Sequence, residues 1–348
     1  MTDSAIPLNW FDYKLPPDLI AQQPVEPRDA ARLLLVDRSS GALSDRTFRD
    51  LPDLLNPGDL IVVNDTRVLP ARLFARRLSG GRVELLLLDR NADGVWRAMG
   101  RPARRLRAGE RLELLDSQDE VTNDGVDVVG RDAEQVLVRF DDEEAIERHG
   151  HVPLPPYIHD RLDDPERYQT IYARDPGSAA APTAGMHFTV DLLERCRSRG
   201  VQVAPITLHV GLGTFQPIKT VDARDHEMHA EIFSMSAATV EMIRETRVSG
   251  GRVLAVGTTS VRTLETIASS VLAGGPARSL AGETRLFITP GTPFQLVDLM
   301  LTNFHLPRTT LLLLVASFAG EALMRQAYQH AIAEQYRFYS FGDAMLIV

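Results

Sequence analysis

Apolar and polar positions alternate in five short runs of the chain, 82–88 (RVELLLL), 95–99 (VWRAM), 111–115 (RLELL), 125–129 (GVDVV) and 135–140 (QVLVRF), with turn residues between them. Period-two runs of this length, punctuated by Gly, Asn and Asp, are strand signals, and their spacing predicts a small all-β barrel. On both sides the pattern changes to helical spacing alternating with β-rich runs. Thr189 is placed to N-cap VDLLERCRSR, Gly200 to end it, and VQVAPITLHV follows as a strand. Ser236 is placed to open AATVEMIRETRV, after which Arg252 to Val256 reads as a buried strand and Ser260 to Val271 as a helix. EALMRQAYQHAIAEQYRF is amphipathic and helical, and FGDAMLIV reads as a last strand. The expected fold is an α/β main domain, discontinuous over 1–67 and 151–348, with an inserted small all-β barrel domain at 68–150. No internal repeat or low-complexity linker interrupts this pattern.

Composition fits two domains. A chain of 348 residues with 44% apolar content buries a large core and divides at about 150 residues per domain. The start, MTDSAIPLNWFDYKLPPDLI, carries early polar residues and prolines, unlike a secretory leader, so a cytoplasmic location is expected. The most apolar stretch, Leu311 to Phe318, is bracketed by Arg308 and Glu321 and falls far short of the roughly 20 residues that cross a bilayer. It reads as a core helix, and no membrane partner is expected. Cys196 is the single cysteine, which excludes an internal disulfide and a Cys-based zinc cage; in DLLERCRSRG it is expected to be inert.

Net charge is −9, which by itself argues against a polyanionic partner, but the charge is unevenly distributed. From Asp65 to Arg111 there are twelve Arg, no Lys and five acids; from Leu112 to Glu147, thirteen acids face two Arg. The segment RPARRLRAGER makes Arg101, Arg104, Arg105 and Arg107 candidate RNA-binding residues, because Arg grips phosphate bidentately and such contacts dominate non-specific nucleic-acid affinity. The alternative is a solvated surface, since only Lys14 and Lys219 are lysines and Arg is this chain's ordinary cation.

Chemistry in an α/β sheet belongs beyond the carboxyl ends of strands, and four segments qualify. In Val256-Gly257-Thr258-Thr259-Ser260-Val261-Arg262 a buried strand ends in small hydroxyl residues that start a helix, where free N–H groups and the helix dipole favour an anion; a plain hydroxyl cap is the competing reading. Arg262 and Glu265, three apart, are placed for a surface pair or for the same pocket. His209-Val210-Gly211-Leu212-Gly213-Thr214-Phe215 ends a second strand with two glycines that let backbone approach a ligand, but it lacks the third glycine and acidic residue of a dinucleotide fingerprint. Pro182-Thr183-Ala184-Gly185-Met186-His187-Phe188, after GSAAA, reads as a flexible loop closing over a ligand or as an ordinary turn. His226-Glu227-Met228-His229-Ala230-Glu231 invites a metal reading, yet it departs from H-E-x-x-H spacing; substrate hydrogen bonding is the favoured use, and no metal is expected.

These segments carry a resemblance. Asp12-Tyr13 with Leu15-Pro16, Ile20-Ala21-Gln22, Asn64-Asp65-Thr66-Arg67-Val68, PTAGMHF, HVGLGTFQP, HEMHAE, VGTTSVRTLE, NFHLPRTTLLLLVASF and YRFYSFGDAMLI occur in order over nearly the whole chain and resemble the S-adenosylmethionine:tRNA ribosyltransferase-isomerases of queuosine biosynthesis. The acidic stretch from Leu112 to Glu147 matches none of the blocks. The resemblance implies a larger α/β domain interrupted by a small β-barrel. It also implies a reaction that joins the ribosyl carbons of S-adenosylmethionine to 7-aminomethyl-7-deazaguanine at the tRNA wobble position, releasing adenine and methionine and leaving epoxyqueuosine. The implied partners are that tRNA and S-adenosylmethionine, a consumed co-substrate; no cofactor is implied, and a monomer is expected.

A sulfonium acidifies the adjoining ribose C5′ hydrogens, so a positioned base can remove one and open the sugar with adenine leaving; the amine of the modified base then attacks, and ring closure expels methionine. Candidate acid and base groups are His187, His209, His226, Glu227 and His305, because His titrates near neutrality and burial raises Glu. Candidate substrate-binding residues are Asn64, Asp65 and Arg67 near the expected domain junction, Thr183 and Gly185, and Gly211, Gly213 and Thr214 for the adenosyl group. Thr258, Thr259 and Ser260 with Arg262 are placed for the methionine carboxylate or a tRNA phosphate, Glu265 beside them, and Asn303, His305 and Arg308 before the apolar helix. The competing reading of Asp65 and Arg67 is a hinge salt bridge. Tyr336, Phe338, Tyr339 and Phe341 are candidates to stack on a splayed base, with core packing the favoured alternative. From other classes, a non-catalytic RNA-binding barrel, an ordinary methyltransferase and a metal hydrolase on His226, His229 and Glu231 remain as rivals.

Overall fold

The structure, a computed structural model, describes residues 11–132, 135–160, 162, 164–211, 220 and 222–348. Two compact units are present: Met1–Arg67 with Pro156–Asp175 and Ala181–Val348, and Val68–Pro155 with Pro176–Ala180.

The first unit is built on a nine-stranded mixed sheet in the order Leu280–Thr284, Glu231–Met235, Gln202–Leu208, Leu60–Asn64, Val253–Val256, Leu299–Asn303, Ala344–Ile347, Arg32–Val36 and Leu43–Thr47. The four strands from Gln202–Leu208 to Leu299–Asn303 run parallel; Ala344–Ile347 lies antiparallel beside them. Every residue of LIVVN, VLAV and LMLTN is buried, as continuous apolar runs must be when both faces of a sheet are covered. One face packs Phe48, Leu51, Phe188, Leu192 and Cys196 onto Ile61, Leu254, Leu301 and Leu346. Burial raises the Cys196 thiol to about 11, so it stays protonated and unreactive.

The helices start where their caps allow. Thr189 accepts the Leu192 N–H at 3.2 Å to open Val190–Ser198, and Ser236 accepts the Thr239 N–H at 3.1 Å to open Ala237–Val248. The helix expected from Ser260 begins three residues earlier and spans Gly257–Leu272. Gly257 sits at φ +81°, a conformation that side chains with a Cβ resist, so glycine makes the sharp strand-to-helix turn. Thr310–Ala319 and Glu321–Ala333 meet at 114° around Gly320. The second stops at Ala333 rather than running on to Phe338. Among the described residues no single helix is long and apolar enough to cross a membrane, and Leu312, Leu313, Leu314, Val315 and Ala316 are all buried.

The second unit is a closed six-stranded barrel in the order Gln135–Phe140, Trp96–Arg101, Arg82–Arg90, Arg72–Arg77, Glu110–Leu115 and Val121–Asp132, antiparallel throughout. Leu73, Ala75, Val83, Leu85, Ala98, Leu112, Leu114, Val126, Val128, Val136 and Val138 fill it. The strand Arg72–Arg77 has no counterpart among the runs read from the sequence. RLFARR buries only Leu73 and Ala75, and three arginines blur its alternation.

Antiparallel pairing also dissolves much of the basic and acidic blocks into ion pairs. Arg72 faces Glu84, Arg77 faces Glu110, Arg82 faces Asp119, Arg90 faces Glu143, Arg97 faces Asp89, and Arg111 bridges Asp127 and Asp141. Residues far apart in the charge pattern are neighbours across the ladder.

Candidate functional site

The main cleft lies in the first unit, beyond the carboxyl ends of Val253–Val256 and Leu299–Asn303, where ligands of α/β sheets bind. Gly257, Thr258 and Thr259 line it from the first turn of one helix, and Thr309 and Leu311 from the start of another. The Gly257–Leu272 helix has no side-chain cap, so its first N–H groups retain their capacity for an acceptor, and its dipole favours negative charge there. Thr183 and Ala184 contribute from a 3-10 turn, Thr183–His187, whose residues from Ala184 onward are buried. The expected flexible loop is instead a packed wall of the cleft.

Asn303 and His305 also line the cleft. The Asn303 amide donates to the Tyr339 carbonyl at 2.8 Å, and its oxygen is turned to the buried ring of His187, whose protonated form it favours. His305 is fixed by three hydroxyls: its N–H donates to Tyr328 Oη at 2.9 Å, its carbonyl accepts from Tyr13, and its Nε2 lies 2.8 Å from Thr302 Oγ1. Burial pushes the imidazole down to about 3, so it is neutral at working pH.

His187 belongs elsewhere. It lines a smaller cavity with Arg28, Ala31, Met186 and Phe341, and its ring lies 4.9 Å from Phe48. Burial lowers it to about 4, opposed by the nearby Asn303 amide. His209 places Nδ1 2.8 Å from Thr66 Oγ1; burial lowers its pKa against the pull of Asp175 and Asp65. Glu227 is exposed and lines neither the main cleft nor the cavity beside it.

A second small cavity is lined by Gly211, His226, Met228, His229, Glu231, Arg262 and Thr310. Arg262 does not pair with Glu265: its Nη1 donates to Glu231, and its Nε donates to the Leu286 carbonyl at 3.1 Å. Glu265 instead accepts the backbone N–H groups of Gln295, Leu296 and Val297 at 2.8, 3.0 and 2.9 Å, which makes it a loop clamp. Among the described residues no three His, Cys, Asp or Glu side chains gather as a metal donor set.

Several other candidates turn inward on the fold. Asn64 donates from Nδ2 to the Leu208 carbonyl at 2.9 Å and accepts the Leu208 N–H at 3.0 Å, so its amide ties two strand ends together. Asp65 accepts from Thr207 and pairs with Arg174, both at 2.7 Å; burial raises its pKa. Arg67 pairs with Glu166 rather than Asp65. A Cβ on Gly185 would sit 2.1 Å from the Tyr172 hydroxyl, so this glycine serves packing rather than ligand approach. Ser260 is buried and donates back to the Val256 carbonyl at 2.7 Å. Arg308 is exposed with φ +59°. Gly213 and Thr214 lie outside the described residues.

Tyr336, Phe338 and Phe341 are core rings, while Tyr339 lines the cleft with its ring 4.8 Å from Tyr157. Tyr157, whose hydroxyl is 2.8 Å from Ser340 Oγ, was not legible as a cleft residue; Thr309, a Thr directly before an apolar run, carried a cap signal that marks it. In the barrel, Arg101, Arg104, Arg105 and Arg107 are exposed, and the last three border one basic depression with Arg77. No ion pair is formed by these four side chains among the described residues.

Known proteins resemble this chain over nearly its full length. Residues 8–347 match the family described as "Queuosine biosynthesis protein". A protein of Symbiobacterium thermophilum named S-adenosylmethionine:tRNA ribosyltransferase-isomerase is 51% identical over 98% of this chain and 99% of its own length. One of the same name from Moorella thermoacetica is 50% identical over 97% and 98%. The crystal structure of an S-adenosylmethionine tRNA ribosyltransferase from Thermotoga maritima, 39% identical, covers 97% of this chain and 100% of that one with a TM-score of 0.57. The chain therefore belongs to the queuosine biosynthesis family of S-adenosylmethionine:tRNA ribosyltransferase-isomerases.

Proposed function

We propose that this enzyme transfers and isomerises the ribosyl moiety of S-adenosylmethionine onto 7-aminomethyl-7-deazaguanine at the tRNA wobble position, giving epoxyqueuosine-tRNA with release of adenine and methionine. Beside family membership, the observation that carries the reading is the cleft at the strand ends, where two helix N-termini and a neutral His305 converge. Thr258 and Thr259 supply hydroxyl and backbone donors to a nucleoside. His305 is the candidate nearest the reacting ribose; its neutral ring accepts or donates a hydrogen bond without changing charge. His187 lies beside Asn303 and steadies it. Arg101, Arg104, Arg105 and Arg107 contact the tRNA backbone. The co-substrate is consumed and no resident cofactor or metal takes part; the enzyme acts in the cytoplasm, as a monomer.

The test incubates purified protein with S-adenosylmethionine and tRNA carrying 7-aminomethyl-7-deazaguanine, and follows free adenine and nucleoside mass. Adenine release with epoxyqueuosine, dependent on that tRNA, is the expected result. S-adenosylhomocysteine as product would indicate a methyltransferase, and RNA binding without turnover a binding module; either outcome ends this reading.

A further inference from the structure

We infer that the small cavity around Arg262 seats the amino-acid end of the methionyl group, with Arg262 Nη2 as the donor to its carboxylate. This rests on S-adenosylmethionine being the co-substrate. Arg262 and Glu231 are each only 4% exposed. Nη1 and Nε of Arg262 are committed to Glu231 and to the Leu286 carbonyl, while Nη2 is buried without a partner. Folded proteins leave few such donors unmatched, because a buried charged N–H without an acceptor is costly. Glu231 is itself held in place, its Oε1 accepting the Gly211 N–H at 3.1 Å.

The charge balance selects the ligand class. Glu231 offsets the guanidinium, so the cavity lacks the excess positive charge that a phosphate requires. It suits a group that brings both signs: a carboxylate on Nη2, and an ammonium beside His226. Burial and the neighbouring His229 lower the pKa of His226, leaving a neutral ring able to accept. The Met228 thioether forms an apolar wall suited to methylenes. The cavity is the smaller of the two, so the nucleoside belongs in the main cleft. Its lining residues are chain neighbours of cleft residues: Gly211 and Thr310 line the cavity, while Val210, Thr309 and Leu311 line the cleft. One ligand can therefore place its amino-acid end here and its nucleoside there.

Calorimetric titration of the full chain with S-adenosylmethionine, its decarboxylated analogue and 5′-methylthioadenosine tests this. The wild type is expected to bind S-adenosylmethionine about ten- to a hundred-fold more tightly than the decarboxylated analogue. Arg262→Gln is expected to erase that ratio and leave methylthioadenosine affinity unchanged. The double variant Arg262→Gln with Glu231→Gln, which strands no buried charge, should behave the same way. Equal wild-type affinity for the carboxylated and decarboxylated ligands overturns the seat without recourse to any variant and leaves the proposed function standing. No binding of any of the three overturns both.

Discussion

Glutamine at Arg101, Arg104, Arg105 and Arg107 together is expected to flatten the salt dependence of tRNA binding, whereas glutamine at Arg82, Arg90 and Arg97 is not. Salt dependence counts the phosphates that a protein neutralises. The first four side chains are exposed and form no ion pair among the described residues, so they are available to phosphate. The other three already face Asp119, Glu143 and Asp89 at 2.8, 2.7 and 2.5 Å, and would have to give up a carboxylate first. Each phosphate contact contributes about 0.7 to 0.9 to the slope of log K against log salt, so losing four lowers the slope by about 3. Over a fourfold rise in salt, that is about 60-fold less weakening. Removing exposed, unpaired arginines changes stability by only about 0.5 kcal/mol, which a melting curve can verify. Anisotropy titrations at several salt concentrations read the slope. An unchanged slope in the quadruple variant, or an equal fall in the paired set, would refute the argument.

Three further outcomes are expected. The His305 ring takes a proton only near pH 3 in the fold, against about 6.5 when unfolded, so kcat/KM shows no limb from this group between pH 5 and 9, and stability drains as pH falls from about 6.5 towards 3. His305→Ala should lower kcat by about a hundredfold or more, and a limb near pH 6.5 that vanishes in that variant would contradict the assignment. Gly185→Ala should cost about 1–3 kcal/mol by overpacking against Tyr172; Tyr172→Phe, which removes a buried hydroxyl with no partner, should be neutral or stabilising and partly rescue it, as thermal denaturation would reveal. Glu265→Ala strips three backbone N–H groups of their acceptor and should destabilise by about 2–4 kcal/mol with S-adenosylmethionine affinity retained; a selective affinity loss at full stability would return Glu265 to the site.

The cleft residues share a chemical ambiguity that explains which of them could be read in advance. Polar and small residues crowd strand ends both because ligands bind there and because exposed backbone groups there need partners. Thr258, Thr259, Asn303 and His305 face the cleft, whereas Asn64, Ser260 and Glu265 satisfy backbone groups instead. Nothing in their local sequence separates the two uses, because the difference lies in what stands opposite each side chain.

Local rules were sufficient for the elements themselves. Ser236 before AATVEMIRETRV sets the start of a helix, because a hydroxyl that accepts the Thr239 N–H needs only residues three apart. Alternation in QVLVRF marks a barrel strand that runs 135–140 as read, and the order of helical and β-rich runs implies the α/β class. Tertiary structure decided what depends on residues distant in the chain. It paired more than half of the arginine block with carboxylates and left Arg101, Arg104, Arg105 and Arg107 exposed, with no ion pair among the described residues. It turned Arg262 from Glu265 to Glu231, and it brought Tyr157 beside Tyr339. Periodicity and capping act over one to four residues and are written in the sequence, whereas pairing, burial and cleft lining are set by contacts that exist only once the sheet and the barrel have closed.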